Sequence, residues 1–265
     1  MTMTPAELKE FGITLPPTQD ELPYDDGAPM ESQRHKMQMD ILIEALHPWL
    51  DAQEDGYIGG NMFVYYGLSQ VRNRDFRGPD FFAVLGVPKG ERKSWVCWEE
   101  EKTPDVIIEL LSESTAEVDK GEKKRIYQNQ MHVPEYFWYD PFNPQDWAGF
   151  QLQGGTYQPI PLNEQGHLVS QVMELALVRW QGNYLGVEAT WLRWARLDGT
   201  LLPTGAEIAE QERQRAEQER QRAEQAETQV GQIVQNLLRS GMPTEQVAQM
   251  TGLTIGQVEK MGSRE

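Results

Sequence analysis

The residues able to do chemistry fall in three short stretches. In Val106-Ile107-Ile108-Glu109-Leu110-Leu111 a carboxylate interrupts an apolar run of the kind shown by a strand buried on both faces. Desolvating a charge costs several kcal/mol unless it is paired or bound to a cation. Glu109 therefore either stands at the mouth of a polar cleft or meets something positive. A structural salt bridge is the plain alternative, and the strand alone leaves both open. Upstream, Arg77-Gly-Pro-Asp80 reads as a turn feeding a second apolar strand, with Asp80 at its start. Downstream, Asp119, Lys123 and Tyr127 are spaced four apart, so they share one face of a helix. Two carboxylates beside an ammonium can hold a hard cation and stabilise negative charge as it develops.

The elements that must position these groups follow in a fixed order. A strand carries Asp80, a strand carries Glu109, a helix carries Lys123, and Val133-Pro-Glu-Tyr136 opens a further strand that ends at Asp140-Pro141.

This order, with Pro79-Asp80, Ile108-Glu109-Leu-Leu-Ser112-Glu-Ser-Thr115, Asp119, Lys123, Tyr127, Val133-Pro-Glu-Tyr136 and Asp140-Pro141, resembles a restriction-endonuclease-like bacterial family, abundant in cyanobacteria, within the PD-(D/E)XK nuclease superfamily. The resemblance covers roughly residues 20 to 205. It implies an α/β (α+β) fold with a mixed central sheet flanked by helices, an antiparallel extension and a C-terminal helical tail. It also implies a magnesium- or manganese-dependent endonuclease acting on nucleic acid, DNA in the first place. Asp80 and Glu109 would be metal ligands together with the carbonyl of Leu110, and Lys123 would be the catalytic lysine. The superfamily's Glu-x-Lys pattern would put lysine at 111, where this chain has Leu111. Lys123 matches the family's substitute from the following helix. A glutamate on the first helix often joins such sites, which makes Glu31 a fourth candidate. An acid favoured by the helix dipole is the alternative there.

Composition sets limits. A chain of 265 residues with 39% hydrophobic content can bury one good core and still carry a tail. The net charge of −17 argues against a constitutive DNA binder, because phosphate contacts dominate affinity. It does not argue against a nuclease, whose site needs carboxylates. The single cysteine, Cys97, allows no disulfide within the chain and fits a reducing cytoplasm. No signal-peptide pattern opens the sequence and no run approaches 18 apolar residues, so no membrane partner is expected.

Residues 1–30, rich in Pro and Asp, read as an irregular arm. Residues 31–205 form the expected nuclease-like domain. Its first helix runs from Glu31 to Leu50 with His35 at its surface. Tyr57 to Leu68 reads as one strand, and Phe81–Val87 with Trp95–Trp98 as a hairpin. Arg72, Arg74 and Arg77 read as loop charges or phosphate contacts, and Glu99-Glu-Glu101 as a solvated acidic loop. Strands at 147–152 and 156–160 flank Gly154-Gly155. Shorter ones at 176–180, 185–187 and 191–194 form the antiparallel extension, with Trp180, Trp191 and Trp194 as its core.

Residues 206–240 change character. Ala209-Glu-Gln-Glu-Arg-Gln-Arg215 repeats without error as 216–222. This predicts a long helix laced with Glu/Arg pairs. A dimeric coiled coil along Ala209, Ala216, Ala223, Val230 and Leu237 and a solvated single helix both fit, because Glu212 and Glu219 weaken the seam until Val230 and Ile233. Residues 241–265 read as a small helix-turn-helix-like tail, with Thr244 and Thr254 as caps and Gly241 and Gly252 as stops. Its last helix lacks the basic side chains of a DNA reader and suits a protein-interaction or oligomerisation role.

Overall fold

The computed structural model describes residues 8, 11–12, 15–24, 32–67 and 76–263. It divides into two compact units, Met1–Gly205 and Ala206–Glu265.

The first unit is built on a six-stranded mixed sheet in the order β1-β4-β6-β7-β8-β9. β1 is Tyr57–Gly59, β4 Phe81–Val84, β6 Val106–Leu110, β7 Glu135–Tyr139, β8 Trp147–Gln153 and β9 Thr156–Pro159. β6 lies at the centre, antiparallel to β4 and parallel to β7. All five of its residues are buried. Val106, Ile108 and Leu110 pack on one face against Leu42, Ala45 and Leu46 of helix α1, Gln33–Asp51. Ile107 packs on the other against Ile126, Tyr127 and Met131. A parallel pair needs a crossover. Here it is a helical segment over 116–131, called α2, in which short α turns alternate with the π turns Asp119–Lys123 and Tyr127–Met131.

α1 starts at Ser32, whose Oγ accepts a hydrogen bond from the His35 amide at 3.3 Å. Its buried Gln38 reads the backbone of Leu192 as a neighbouring strand would: the amide nitrogen donates to Leu192 O at 2.8 Å and the amide oxygen accepts from Leu192 N at 2.9 Å. Leu192 lies on β12, Val187–Ala195, at the edge of a second antiparallel sheet with β11, Leu175–Tyr184, and β10, Leu168–Ser170. Glu135 ties that sheet to the first. Its carboxylate is fully buried and accepts hydrogen bonds from the Ser170 hydroxyl and from the amides of Gln171 and Val172.

Several sequence expectations are corrected. Tyr57–Leu68 is not one strand. It breaks at Asn61, which has φ 47°, into β1 and β2, Val64–Tyr65, in different sheets. Phe81–Val87 and Trp95–Trp98 form no hairpin. β5, Trp95–Val96, pairs parallel with β2 in a small sheet that β3, Phe76–Arg77, completes. The longer apolar run 106–110 takes the place beside β4 instead. The segment 185–187 is not a strand of its own: Leu185 and Gly186 form a turn and Val187 opens β12. Leu185 and Gly186, at φ 49° and 83°, join the long strands β11 and β12 as a two-residue loop with both central residues left-handed. His35 is buried, not superficial. In the acidic loop, Glu100 forms a half-buried pair with Arg92 at 2.5 Å.

In the second unit, α3 spans Gly205–Arg239, α4 Thr244–Thr251 and α5 Ile255–Gly262. Thr254 caps α5 in a reciprocal box with Gln257. Thr244 is the first helical residue of α4, not its cap. Val234, Val247, Ala248 and Val258 form a small core joined by Val230 and Leu237, while Ile233 remains 53% exposed. Two of the expected seam residues are thus engaged by the tail's own short helices. Among the described residues no helix is long and apolar enough to cross a membrane.

Candidate active site

The register of β4 against β6 sets the site. Phe81 pairs with Ile108, so Asp80, one residue before, faces the level of Glu109. The turn carrying Asp80 is held close. Asn61 N donates to Pro79 O at 3.0 Å, and a Cβ on Gly60 would stand only 2.6 Å from the Asp80 carbonyl. Glycine is what lets β1 approach this turn. Asp80 Oδ2 accepts a hydrogen bond from the Leu110 amide at 2.7 Å. The Asp80 side chain is therefore tied to the backbone of the strand that carries Glu109.

Glu109 is fully buried on the α2 side of the sheet. Tyr127 donates to its Oε1 at 2.5 Å, and Lys123 Nζ lies 3.1 Å from its Oε2. The same ammonium lies 2.8 Å from Asp119 Oδ1. Tyr136 secures the turn below by donating to Asp119 O at 2.9 Å. Three residues spaced four apart on α2 thus converge on one carboxylate of β6. Glu109 Oε2 and Asp119 Oδ1 share the Lys123 ammonium as their donor, which leaves each with lone-pair capacity to spare in a buried place.

The electrostatics follow from burial. Desolvation pushes the Glu109 carboxyl up to about 7; Lys123 opposes the shift and the charge of Asp80 adds to it. Desolvation likewise pushes Asp80 up to about 6, against the Leu110 amide and Lys123. Asp119 is raised by burial and by Glu109. Burial alone would draw Lys123 down, yet the carboxylates of Glu109 and Asp119 outweigh it and hold the ammonium above its ordinary value. Tyr127, raised by burial and by Glu109, stays a phenol and a donor. Lys123 is therefore a fixed cation, not a base. Cys97 is no nucleophile, since burial pushes its thiol up to about 12.

The structure thus brings Asp80, Glu109 and Lys123 together. Leu110 enters the site through its amide. Glu31 lies outside the described residues, as do Arg72 and Arg74, and Arg77 pairs with Glu122 at 2.8 Å. Leu111 is fully buried, so position 111 contributes no polar group. Asp119 and Tyr127 were not among the expected site residues. Their spacing from Lys123 was the signal for them.

The donor set fits a hard divalent cation. Asp80 and Glu109 offer oxygen only, at close range to one another. Among the described residues no three His, Cys, Asp or Glu side chains form a ready cage, so backbone oxygen and water would complete a shell.

The family model described as "Putative restriction endonuclease" (Uma2) matches residues 9–188. The chain belongs to this restriction-endonuclease family. The match spans every residue of the site and most of the first unit. A solved structure from Anabaena variabilis, described as "a putative nuclease belonging to DUF820", is similar at 16% identity and a TM-score of 0.38, over 60% of this chain and 84% of that one. No curated protein matches.

Proposed function

We propose that the chain is a metal-dependent endonuclease that hydrolyses phosphodiester bonds of nucleic acid, DNA first. The observation that carries this reading is the convergence of two carboxylates on neighbouring strands with one lysine, Lys123 Nζ lying 3.1 Å from Glu109. Asp80 and Glu109, with the Leu110 carbonyl, would hold Mg²⁺ or Mn²⁺. The bound cation supplies Lewis-acid polarisation of the phosphodiester. Lys123, held protonated, orients the attacking water or neutralises the charge that grows on the phosphoryl oxygens. Asp119 and Tyr127 position that pair: one anchors the ammonium, the other fixes the Glu109 carboxylate. Overall, a water oxygen–phosphorus bond forms, a phosphorus–oxygen ester bond breaks, and a proton passes to the departing oxygen.

A second reading is a catalytically silent nuclease fold used as an oligomerisation scaffold. The closure of Lys123 onto both Asp119 and Glu109 favours it, since the lysine is already engaged. In that reading α3 pairs with a second copy as a dimer. Plasmid nicking with Mg²⁺ or Mn²⁺ separates the two. Wild type should nick DNA, and Glu109→Ala should lose at least about 100-fold in rate. A wild-type protein inert on DNA and RNA with either ion would leave the scaffold.

A further inference from the structure

β6 and β7 end side by side, Leu111 N donating to Tyr139 O at 2.8 Å. The chain then forms a loop over 140–146 at the same end of the sheet as Glu109. This loop is pinned from every side. Asp140 Oδ1 accepts from the amides of Phe142 and Asn143, at 2.8 and 3.0 Å. Lys120 of α2 pairs with Asp146 at 2.6 Å, Arg179 of β11 donates to Pro144 O and Gln145 Oε1, and Arg34 of α1 donates to Pro141 O.

Phe142 stands on this rigid loop with 63% of its surface exposed. Its ring is tilted by 49° against the His35 ring at a centroid distance of 5.7 Å, and the Arg34 guanidinium lies over it, 5.3 Å from its centroid. His35 bridges back to the site, its Nε2 lying 3.0 Å from Leu111 O. Leu111 is two residues, or about 7 Å of strand, beyond Glu109. Arg34 also covers the Trp191 ring at 5.4 Å. Among the described residues its guanidinium makes the single hydrogen bond to Pro141 and no ion pair. The loop's own acids are compensated, Asp140 by two amides and Asp146 by Lys120. A chain of net charge −17 thus presents an uncompensated, half-buried arginine beside an exposed aromatic ring at the end of the sheet where the strand carrying Glu109 stops.

We propose that Phe142 and Arg34 form a nucleotide-binding step beside the cleft: the ring stacks a base, and the guanidinium receives a phosphate of the strand whose neighbouring phosphodiester enters the site. This rests on the nuclease reading. An aromatic face suits any base, which makes the step sequence-tolerant, and an arginine fork suits phosphate oxygens. A loop fixed at four anchors presents the ring without an ordering cost on binding. Lone exposed aromatics are common on surfaces. This one differs in being held rigidly beside a cation with spare donors.

The test is binding of labelled single-stranded DNA and single-stranded RNA oligonucleotides to the full chain, in EDTA and again in Ca²⁺. Phe142→Ala should weaken binding about ten-fold or more, Phe142→Leu should stay weak, and Phe142→Trp should restore it. Arg34→Gln should weaken binding and flatten its salt dependence by about one phosphate. Quenching of a 2-aminopurine placed in the strand should disappear in Phe142→Ala. The arm that shows these losses identifies DNA or RNA as the strand held. Equal affinity and equal quenching for wild type and Phe142→Ala would overturn the step while leaving the nuclease reading intact. Wild type that binds neither oligonucleotide in either buffer would overturn both.

Discussion

Acids and bases three or four residues apart occur in both units, with opposite electrostatic outcomes. In α2, Asp119 and Lys123 sit 2.8 Å apart with side-chain exposures of 1% and 19%. In α3, Glu210 with Arg213 and Glu217 with Arg220 sit 2.7 and 3.0 Å apart at exposures of 46% or more. Asp119 is raised above its ordinary range because burial dominates. Glu210 and Glu217 are lowered, because hydrogen bonds from glutamine and arginine act on groups that water still solvates. The helical spacing puts partners together in both places, and burial decides whether the pair stores tension or merely decorates a surface.

The largest effect should come from breaking the buried pair. Lys123→Ala leaves Asp119 and Glu109 facing each other without their cation. It should cost about 3–5 kcal/mol in the metal-free protein by chemical denaturation. Arg213→Ala with Arg220→Ala should leave the melting temperature where it was. A Lys123→Ala protein as stable as wild type would show that the cluster is open to water.

Glu109→Gln sharpens the contrast. The substitution keeps the shape and removes a desolvated charge, and Lys123 retains Asp119. The metal-free mutant should melt no lower than wild type. Wild type should be stabilised by Mg²⁺ in the form RT ln(1 + [L]/Kd), and in the mutant both this stabilisation and nicking should be absent. A mutant melting far lower, with no Mg²⁺ response in wild type, would make Glu109 a structural anion.

The pH dependence should have opposite signs in the two regions. Asp80 and Glu109, raised to about 6 and 7, take up protons more readily folded than unfolded. The folded state then binds more protons between about pH 4 and 7, so their contribution to stability declines as pH rises through that window. Mg²⁺ should flatten this slope. For Glu210 and Glu217 the stabilisation is present above the ordinary carboxylate range and lost as pH falls through their lowered values. A peptide spanning 206–239 should lose helicity on acidification, to a smaller extent. Matching slopes in melts of the chain and circular dichroism of the peptide would remove the distinction.

The smallest effect concerns the second unit as a whole. Deleting residues 206–265 should leave the melting of the first unit unchanged, because the two have separate cores. If Ile233 and the alanine stripe pair with a second copy, the truncated protein should also lose half its assembly mass by light scattering. Equal oligomeric states would assign Ile233 to the surface.

The sequence by itself named the main groups of the candidate site. A carboxylate inside an apolar pentapeptide, an aspartate opening a strand and a four-residue spacing on a helix are local signals, and they located Asp80, Glu109 and Lys123. It also determined the exact heptads of α3, since i,i+3 and i,i+4 pairs need no tertiary partner. Sequence left undecided which strand lies beside which. The pairing of β4 with β6, and of β5 with β2, is a contest between distant segments, settled by how much apolar surface each alignment buries. Only that contest brought Asp80 level with Glu109. The exposure of Phe142 and the burial of His35 likewise arise where α1 and the 140–146 loop, remote in sequence, meet at one end of the sheet. The sign of each pKa shift was beyond the sequence for the same reason: spacing names the partner, but only packing removes the water.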